Sequence, residues 1–319
     1  MTRATWSQRQ RWKNDAIFFA AAAAVELGLS LPRAWLPRLG SLVGSAAYAL
    51  LPGARRTTLD NLELVHPDLT SNARRAVAAA TFRRLGQNLT DTLALLDPTE
   101  APDRTLGITA DSRRVLESAL GEGRGVIYVT CHLGPWERMA ALLAKLGYPI
   151  TTVARESYDP RFHGLLYTRL RTDRNVEAIY RGDRRAPFAI VRALRRGRVL
   201  GLLVDLPGST PSRPVRWLGH PAQMAVGAAR LALRTGAPLV VGTPAPNDEG
   251  GLHVRIARLP AGDLAPTESA EEALCQRIAD ALCERIGALP THWPWMHRSF
   301  RPVAGADSGR SARHLGLVH

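Results

Sequence analysis

From residue 125 onward, short unbroken apolar runs bounded by glycine or proline alternate with longer stretches in which apolar residues recur at helical spacing. Residues 125–130 (GVIYVT) read as a buried strand, and 135–146 as a helix with proline near its first turn and Gly147 at its end. The pattern repeats with a strand at 150–154 and a helix at 160–171, then a strand at 176–180 and a helix at 184–196. A further strand follows at 199–204 (VLGLLV). Beyond a Pro/Gly/Ser loop over 207–214 come a strand at 215–218, a helix over 221–235 and a strand at 238–242. The alternating stretch 252–257 suits an edge strand, and a last helix covers 269–287. Strands alternating with helices predict an α/β fold, a mostly parallel central sheet flanked by helices on both faces.

The first part of the chain is patterned differently. Residues 57–120 read as helical, with a run opening at Ser71 that carries Val77, Phe82, Leu85 and Leu89, and another helix near 110–120. Residues 1–56 hold two apolar stretches, 16–31 and 39–51, the first interrupted by Glu26. Neither reaches the roughly 20 uninterrupted apolar residues of a spanning helix. A basic flank (Arg3, Arg9, Arg11, Lys13) and edge tryptophans Trp6, Trp12 and Trp35 suit helices lying in a membrane interface, with a cleaved signal or a buried hairpin as alternatives. Three segments result: 1–56 for membrane association, 57–302 for the α/β domain and 303–319 as a flexible tail.

Composition narrows the partners. Lys plus Arg is 42 against 28 Asp plus Glu, a net charge of +14, so the surface favours anions: nucleic acid, acidic lipid, phosphorylated substrate or an acidic carrier protein. With 45% apolar residues the chain can bury a sizeable core, which excludes wholesale disorder. Cys131, Cys275 and Cys283 form no disulfide framework and no CxxC pair, pointing to a reducing compartment. No metal or redox cofactor is implied.

Candidate chemistry collects behind the expected strands. His132 follows GVIYVT, Arg155 follows TTVA, Arg181 follows VEAIY and Asp205 follows the strand at 199–204. In a parallel sheet these positions share the carboxyl edge, where ligands bind. In His132-Leu133-Gly134-Pro135-Trp136-Glu137, Gly134 allows a tight turn, so the first-turn carboxylate of Glu137 is expected to reach back to the imidazole. That contact would fix the tautomer and make His132 a general base. The bland alternative is a loop histidine beside a helix-terminal carboxylate favoured by the dipole. With no GxSxG motif, the base would activate a substrate hydroxyl rather than an enzyme nucleophile. For the arginines the choice is between a solvated basic face and bidentate capture of phosphate; Asp205 could simply cap the next turn.

The segment HLGPWE resembles the HxxxxD/E motif of glycerolipid acyltransferases, in the branch of the lipid A late acyltransferases and the phosphatidylinositol mannoside acyltransferases. The likeness extends to ARRTTLDNLELVHPDL, to LLYTRLR with VEAIYR, to GRVLGLLVDLP with VRWLGHPAQMAVGAARLALRTGAPLVV, and to LPTHWPWMHRSF. It implies a catalytic dyad at His132 and Glu137, and an acceptor site lined by Arg155, Arg171 and Asp205, with Arg181 added; Arg171 rests on the resemblance. The string Asp205-Leu206-Pro207-Gly208 and the pair Trp217-Leu218 depart from the branch patterns and leave the acceptor open.

The expected function is transfer of a fatty acyl chain from acyl carrier protein or acyl-CoA, as co-substrate, to a hydroxyl of a membrane glycolipid. A lipid A precursor is first choice, and a phosphatidylinositol mannoside or another glycolipid or lysophospholipid the alternative. The expected place is the cytoplasmic face of a bacterial inner membrane, against anionic lipid, with no nucleic acid as partner. The rival of another class is a protein that binds anionic membrane or nucleic acid without chemistry, though no nucleic-acid motif is present.

Overall fold

The computed structural model describes residues 6–206, 210–261, 265–297 and 300. The expected tail at 303–319, Arg3, Pro207 and Gly208 lie outside the described residues.

The chain opens with α1 (Gln8–Ser30), begun by a reciprocal capping box between Ser7 and Gln10. A single 3₁₀ turn leads into α2 (Leu36–Leu50), α3 (Pro52–Val65) and α4 (Ser71–Ala94), the last capped by Thr70. Helices α1 and α2 meet at 115°, and no single described helix is long and apolar enough to cross a membrane. α2 lies backbone against backbone on α4. A Cβ at Gly44 would stand 2.1 Å from the Phe82 carbonyl oxygen, so only glycine permits this approach. α1 is fastened along its N-terminal half. Trp6 is buried and stacks on Tyr158, which removes it from the expected set of interfacial tryptophans. Arg161 pairs with Asp15 and sits over the Phe18 ring.

After β1 (Leu106–Ile108) and α5 (Ala110–Leu120) the regular alternation begins: β2 (Val126–Thr130), α6 (Trp136–Lys145) and β3 (Ile150–Arg155). Next come a π-helix at His163–Tyr167 with the single turn α7 (Thr168–Leu170), then β4 (Glu177–Arg181), α8 (Ala186–Arg195) and β5 (Val199–Leu203). β6 (Ser212–Trp217), β7 (His220–Ala225), α9 (Gly227–Thr235), β8 (Leu239–Pro246), β9 (Leu252–Leu259) and α10 (Glu268–Ala288) complete the fold.

The main sheet has seven strands in the order β1-β9-β8-β2-β5-β3-β4. β8, β2, β5, β3 and β4 are mutually parallel, while β9 runs antiparallel to β8 and carries β1 parallel to itself. Side chains such as Tyr128, Met139 and Val199 fill the layer on the α6 face, and Ile127, Leu200, Ala229 and Leu282 the layer on the other. The α/β reading therefore holds, with a sheet that is mostly parallel.

Three local expectations are corrected. The stretch expected as helix over 221–235 begins with β7, which pairs with β6 as a hairpin; Leu218 and Gly219 both take positive φ, the two-residue turn that suits strand twist, but Leu-Gly is a weak sequence signal for it. The alternating run at 252–257 belongs to an inner strand, since the short β1, read as helical at the sequence level, covers it. The helix expected over 160–171 is a π turn and one α turn, in which the Thr168 amide reaches back to the His163 carbonyl. Trp293 and Trp295 are fully buried in the core.

Candidate active site

β2 and β5 are neighbours, with Thr130 level with Leu203. His132 and Asp205 each lie two residues beyond that pair, so the topology brings them face to face at the carboxyl edge. The Asp205 side chain is fully buried. Its Oδ1 lies 2.8 Å from His132 Nδ1, and its Oδ2 accepts from the His132 backbone N–H at 3.0 Å and from the Trp293 indole Nε1 at 2.9 Å. Burial alone would raise the Asp205 pKa. The His132 ring, its backbone amide and the Trp293 indole outweigh that and hold the carboxyl below its ordinary value. An ionised carboxylate only accepts, so Nδ1 carries the proton and Nε2 is left as the basic nitrogen. The imidazole stands partly open to solvent and meets Trp136 edge to face at 5.0 Å.

This corrects the expected contact between Glu137 and the imidazole. Glu137, in the first turn of α6, takes both arms of the Arg171 guanidinium: Nη1 bonds Oε2, and Nη2 donates to Oε1 at 2.7 Å. Two physical reasons decide the partition. Nδ1 of His132 is already filled by Asp205, and Arg171 is itself buried, where an unpaired guanidinium would be costly. Burial lowers the Arg171 pKa, but the Glu137 pair outweighs it and the net shift is upward.

Arg155 and Arg181 close β3 and β4, are level with each other and are exposed, so they stand side by side on the same edge. Arg171 is not on that edge. It lies beneath it, between an open groove lined by His163, Tyr167 and Tyr180 and an apolar slot between α6 and the sheet. Met139, Leu143, Ile150, Val199 and Leu203 line the slot, and Thr130, Trp136 and Glu137 border it near His132. Two residues that line it carry uncommitted donors: the Thr130 hydroxyl and Arg171 Nε are buried without a hydrogen-bond partner among the described residues. By contrast, the loop amides beside His132 are spoken for, with His132 N–H on Asp205, Leu133 N–H on the Cys131 carbonyl and Gly134 N–H on the His292 carbonyl. Gly134 makes this turn at φ +59°, as its place in the motif requires.

Several supports escape sequence reasoning. Arg138, fully buried one residue after Glu137, pins α6 through Asp91 and Glu100. Asn61 of α3 donates to the carbonyls of Trp295 and His297, fixing the closing segment beneath the site. Trp293 completes the Asp205 cradle. Cys131 is no nucleophile, because burial first and Asp205 second push its thiol well above the ordinary range.

The class of protein follows from comparison once this geometry is in hand. The chain belongs to the bacterial lipid A biosynthesis acyltransferase family, whose sequence model matches residues 4–302. That membership favours acyl transfer over the rival reading as a binding protein without chemistry. Among its relatives is a phosphatidylinositol mannoside acyltransferase of Mycobacterium tuberculosis, 29% identical over 62% of this chain and 60% of that protein. The corresponding enzyme of Mycolicibacterium smegmatis is 27% identical over 62% of this chain and 63% of its own length. A lipid A biosynthesis lauroyltransferase of Escherichia coli is 24% identical over 86% of this chain and 88% of its own. The chain thus spans somewhat under two thirds of the mannoside enzymes it matches.

Proposed function

We propose that the protein transfers a fatty acyl chain from a thioester to a hydroxyl of a phosphate-bearing membrane glycolipid. A lipid A precursor is the first choice of acceptor and a phosphatidylinositol mannoside the second. The observation that carries this is the relay from Trp293 through Asp205 to His132, set beside an apolar slot. In the proposed reaction Nε2 of His132 takes the proton of the acceptor hydroxyl, and the alkoxide oxygen bonds to the thioester carbonyl carbon. The tetrahedral oxyanion receives hydrogen bonds from Arg171 Nε and the Thr130 hydroxyl, two uncommitted buried donors of residues that line the slot. The C–S bond then breaks, and the leaving thiolate recovers the proton from the imidazolium. Asp205, ionised throughout, stabilises that cation. Arg155 and Arg181, exposed side by side, suit a phosphate of the acceptor. No resident cofactor enters this scheme. Mass spectrometry of lipids from a deletion strain tests it: loss of one acyl chain from one glycolipid class supports the reading, and an unchanged lipidome overturns it.

The slot would hold the acyl chain. Gly201 lines it, and a Cβ there meets Thr152 Cγ2 at a comfortable 3.6 Å, so added bulk projects into the lumen without a backbone clash. Gly201→Val should therefore cut transfer of the longest accepted chain by roughly tenfold or more while sparing shorter ones. Competition among thioesters of graded length checks this, and an unaltered length profile counts against the slot.

The same reading places the protein on the cytoplasmic face of the inner membrane. Trp12, Phe19, Leu27, Trp35, Leu42 and Leu50 of the N-terminal helices are exposed, beside Arg9, Arg11 and Lys13. Trp35→Ser with Leu42→Ser should reduce co-sedimentation with phosphatidylglycerol vesicles by about tenfold or more, since each apolar side chain buried contributes roughly 1.5–3 kcal/mol. Undiminished co-sedimentation would move the membrane contact elsewhere.

A further inference from the structure

Helix α8 packs on β4 and β5 through Ala186, Ala193 and Leu194. Its outer side is unusual. Arg184, Arg185, Phe188, Arg192, Arg195 and Arg196 are all exposed, Phe188 at 75%. At 3.6 residues per turn these positions fall within a sector of about 120° and extend along roughly 18 Å. None of the five arginines has an ion-pair partner among the described residues, whereas Arg161, Arg230 and Arg258 elsewhere on the surface each hold a carboxylate. The one carboxylate within the segment, Asp183, accepts from the Arg185 backbone amide instead.

This face works against the helix that carries it. Arg192 and Arg196 are four residues apart with like charge, and Arg184 and Arg185 stand at the positive end of the helix dipole. Among the described residues no carboxylate pairs with these arginines, and only the negative end of the dipole, beside Arg192 and Arg195 in the last turn, offsets part of that repulsion. An exposed aromatic ring in the middle of such a stripe adds apolar contact area to an electrostatic footprint, the composition of a docking surface with an acidic partner.

We propose that the outer face of α8 docks an acidic acyl carrier protein that presents the thioester, an inference that rests on the acyl-transfer reading above. Two features select a protein over the other anions. α8 follows β4 and returns towards the start of β5, so the stripe leaves the carboxyl edge and runs down the flank of the sheet. A bilayer laid against that edge meets only its upper end, while a partner with an acidic helix covers all of it. The groove and the slot described above also include no α8 residue, so neither cavity brings a free nucleotide thioester onto the stripe. The upper end of the stripe meets the carboxyl edge that holds His132, Arg155 and Arg181, so a flexible prosthetic arm enters the site from there.

The test compares acyl carrier protein and CoA thioesters of one chain length, with the wild type, R192E/R195E and the neutral R192Q/R195Q. KM for the carrier-borne donor should rise by about tenfold or more in R192E/R195E, and less in the neutral pair. kcat, the CoA-thioester parameters, thermal melting and binding to phosphatidylglycerol vesicles should stay as in the wild type. Anisotropy titration with labelled, acyl-loaded carrier should show wild-type binding that weakens with salt and fails in R192E/R195E. An unchanged carrier KM and unchanged binding overturn the proposal. So does a wild type that binds no carrier and uses only the CoA thioester, and so does an equal loss with both donors accompanied by lost vesicle binding, which marks a membrane face. A wild type that binds carrier through these arginines yet transfers from neither donor supports the docking face and overturns the acyl-transfer reading, so the two failures are read apart.

Discussion

Asp205→Asn is expected to abolish most turnover, by about 10²–10⁴-fold, although it changes one atom type in a buried site. The reason lies in the two donors on Oδ2. The His132 backbone N–H and the Trp293 indole both point there, so the amide oxygen of asparagine must take that position and its NH₂ must face the imidazole. A donor facing Nδ1 forces that nitrogen to accept, which moves the ring proton to Nε2 and leaves no base towards the substrate. His132→Ala should cost a similar factor, and the double variant no more than His132→Ala alone, because the pair acts as one unit. Near-native melting in all three variants would assign the loss to proton transfer. Imidazole nitrogen resonances supply a reading independent of activity, since the tautomer of His132 should invert in Asp205→Asn. Retained activity with an inverted tautomer would remove His132 as the base.

The same pair shows what is legible in the sequence and what is not. GVIYVT and VLGLLV announce buried parallel strands, and residues just past such strands belong to a binding edge, so His132, Arg155, Arg181 and Asp205 emerge as a group. Their pairing does not emerge, because it depends on strand order. β2 and β5 are adjacent only after the chain has placed β3 and β4 outside β5, which brings together residues 73 apart. The local spacing of HLGPWE offers Glu137 instead, five residues from His132, and nothing nearby in sequence reveals that a buried guanidinium claims that carboxylate. Trp293 is a further case. Its indole reads equally as core or membrane belt until the closing segment is seen clamped by Asn61 beneath the site. The β6–β7 hairpin was illegible for a different reason: a leucine at positive φ carries no turn signature.

Breaking the Glu137–Arg171 pair should damage stability and chemistry by separable routes. The two side chains are 18% and 11% exposed, so removing one partner strands the other in a dry setting, at a cost of about 3–5 kcal/mol. Glu137→Gln and Arg171→Met should each lower the melting temperature, the former leaving an orphaned guanidinium and the latter an orphaned carboxylate. The double variant Glu137→Leu with Arg171→Met should recover most of that loss, because apolar groups of similar volume can replace a buried pair at little net cost. Turnover should not recover with it. Arg171 Nε is buried without a partner beside the slot, where the proposed oxyanion forms, and methionine supplies no donor there. Arg171→Lys keeps the charge but neither the fork nor the Nε–H, so it should fall between wild type and methionine in stability while losing turnover by about 10²-fold or more. Melting curves and acyl transfer measured on the same preparations separate the two effects. A stable double variant with wild-type turnover would reduce the pair to a strut and shift oxyanion stabilisation onto the Thr130 hydroxyl alone.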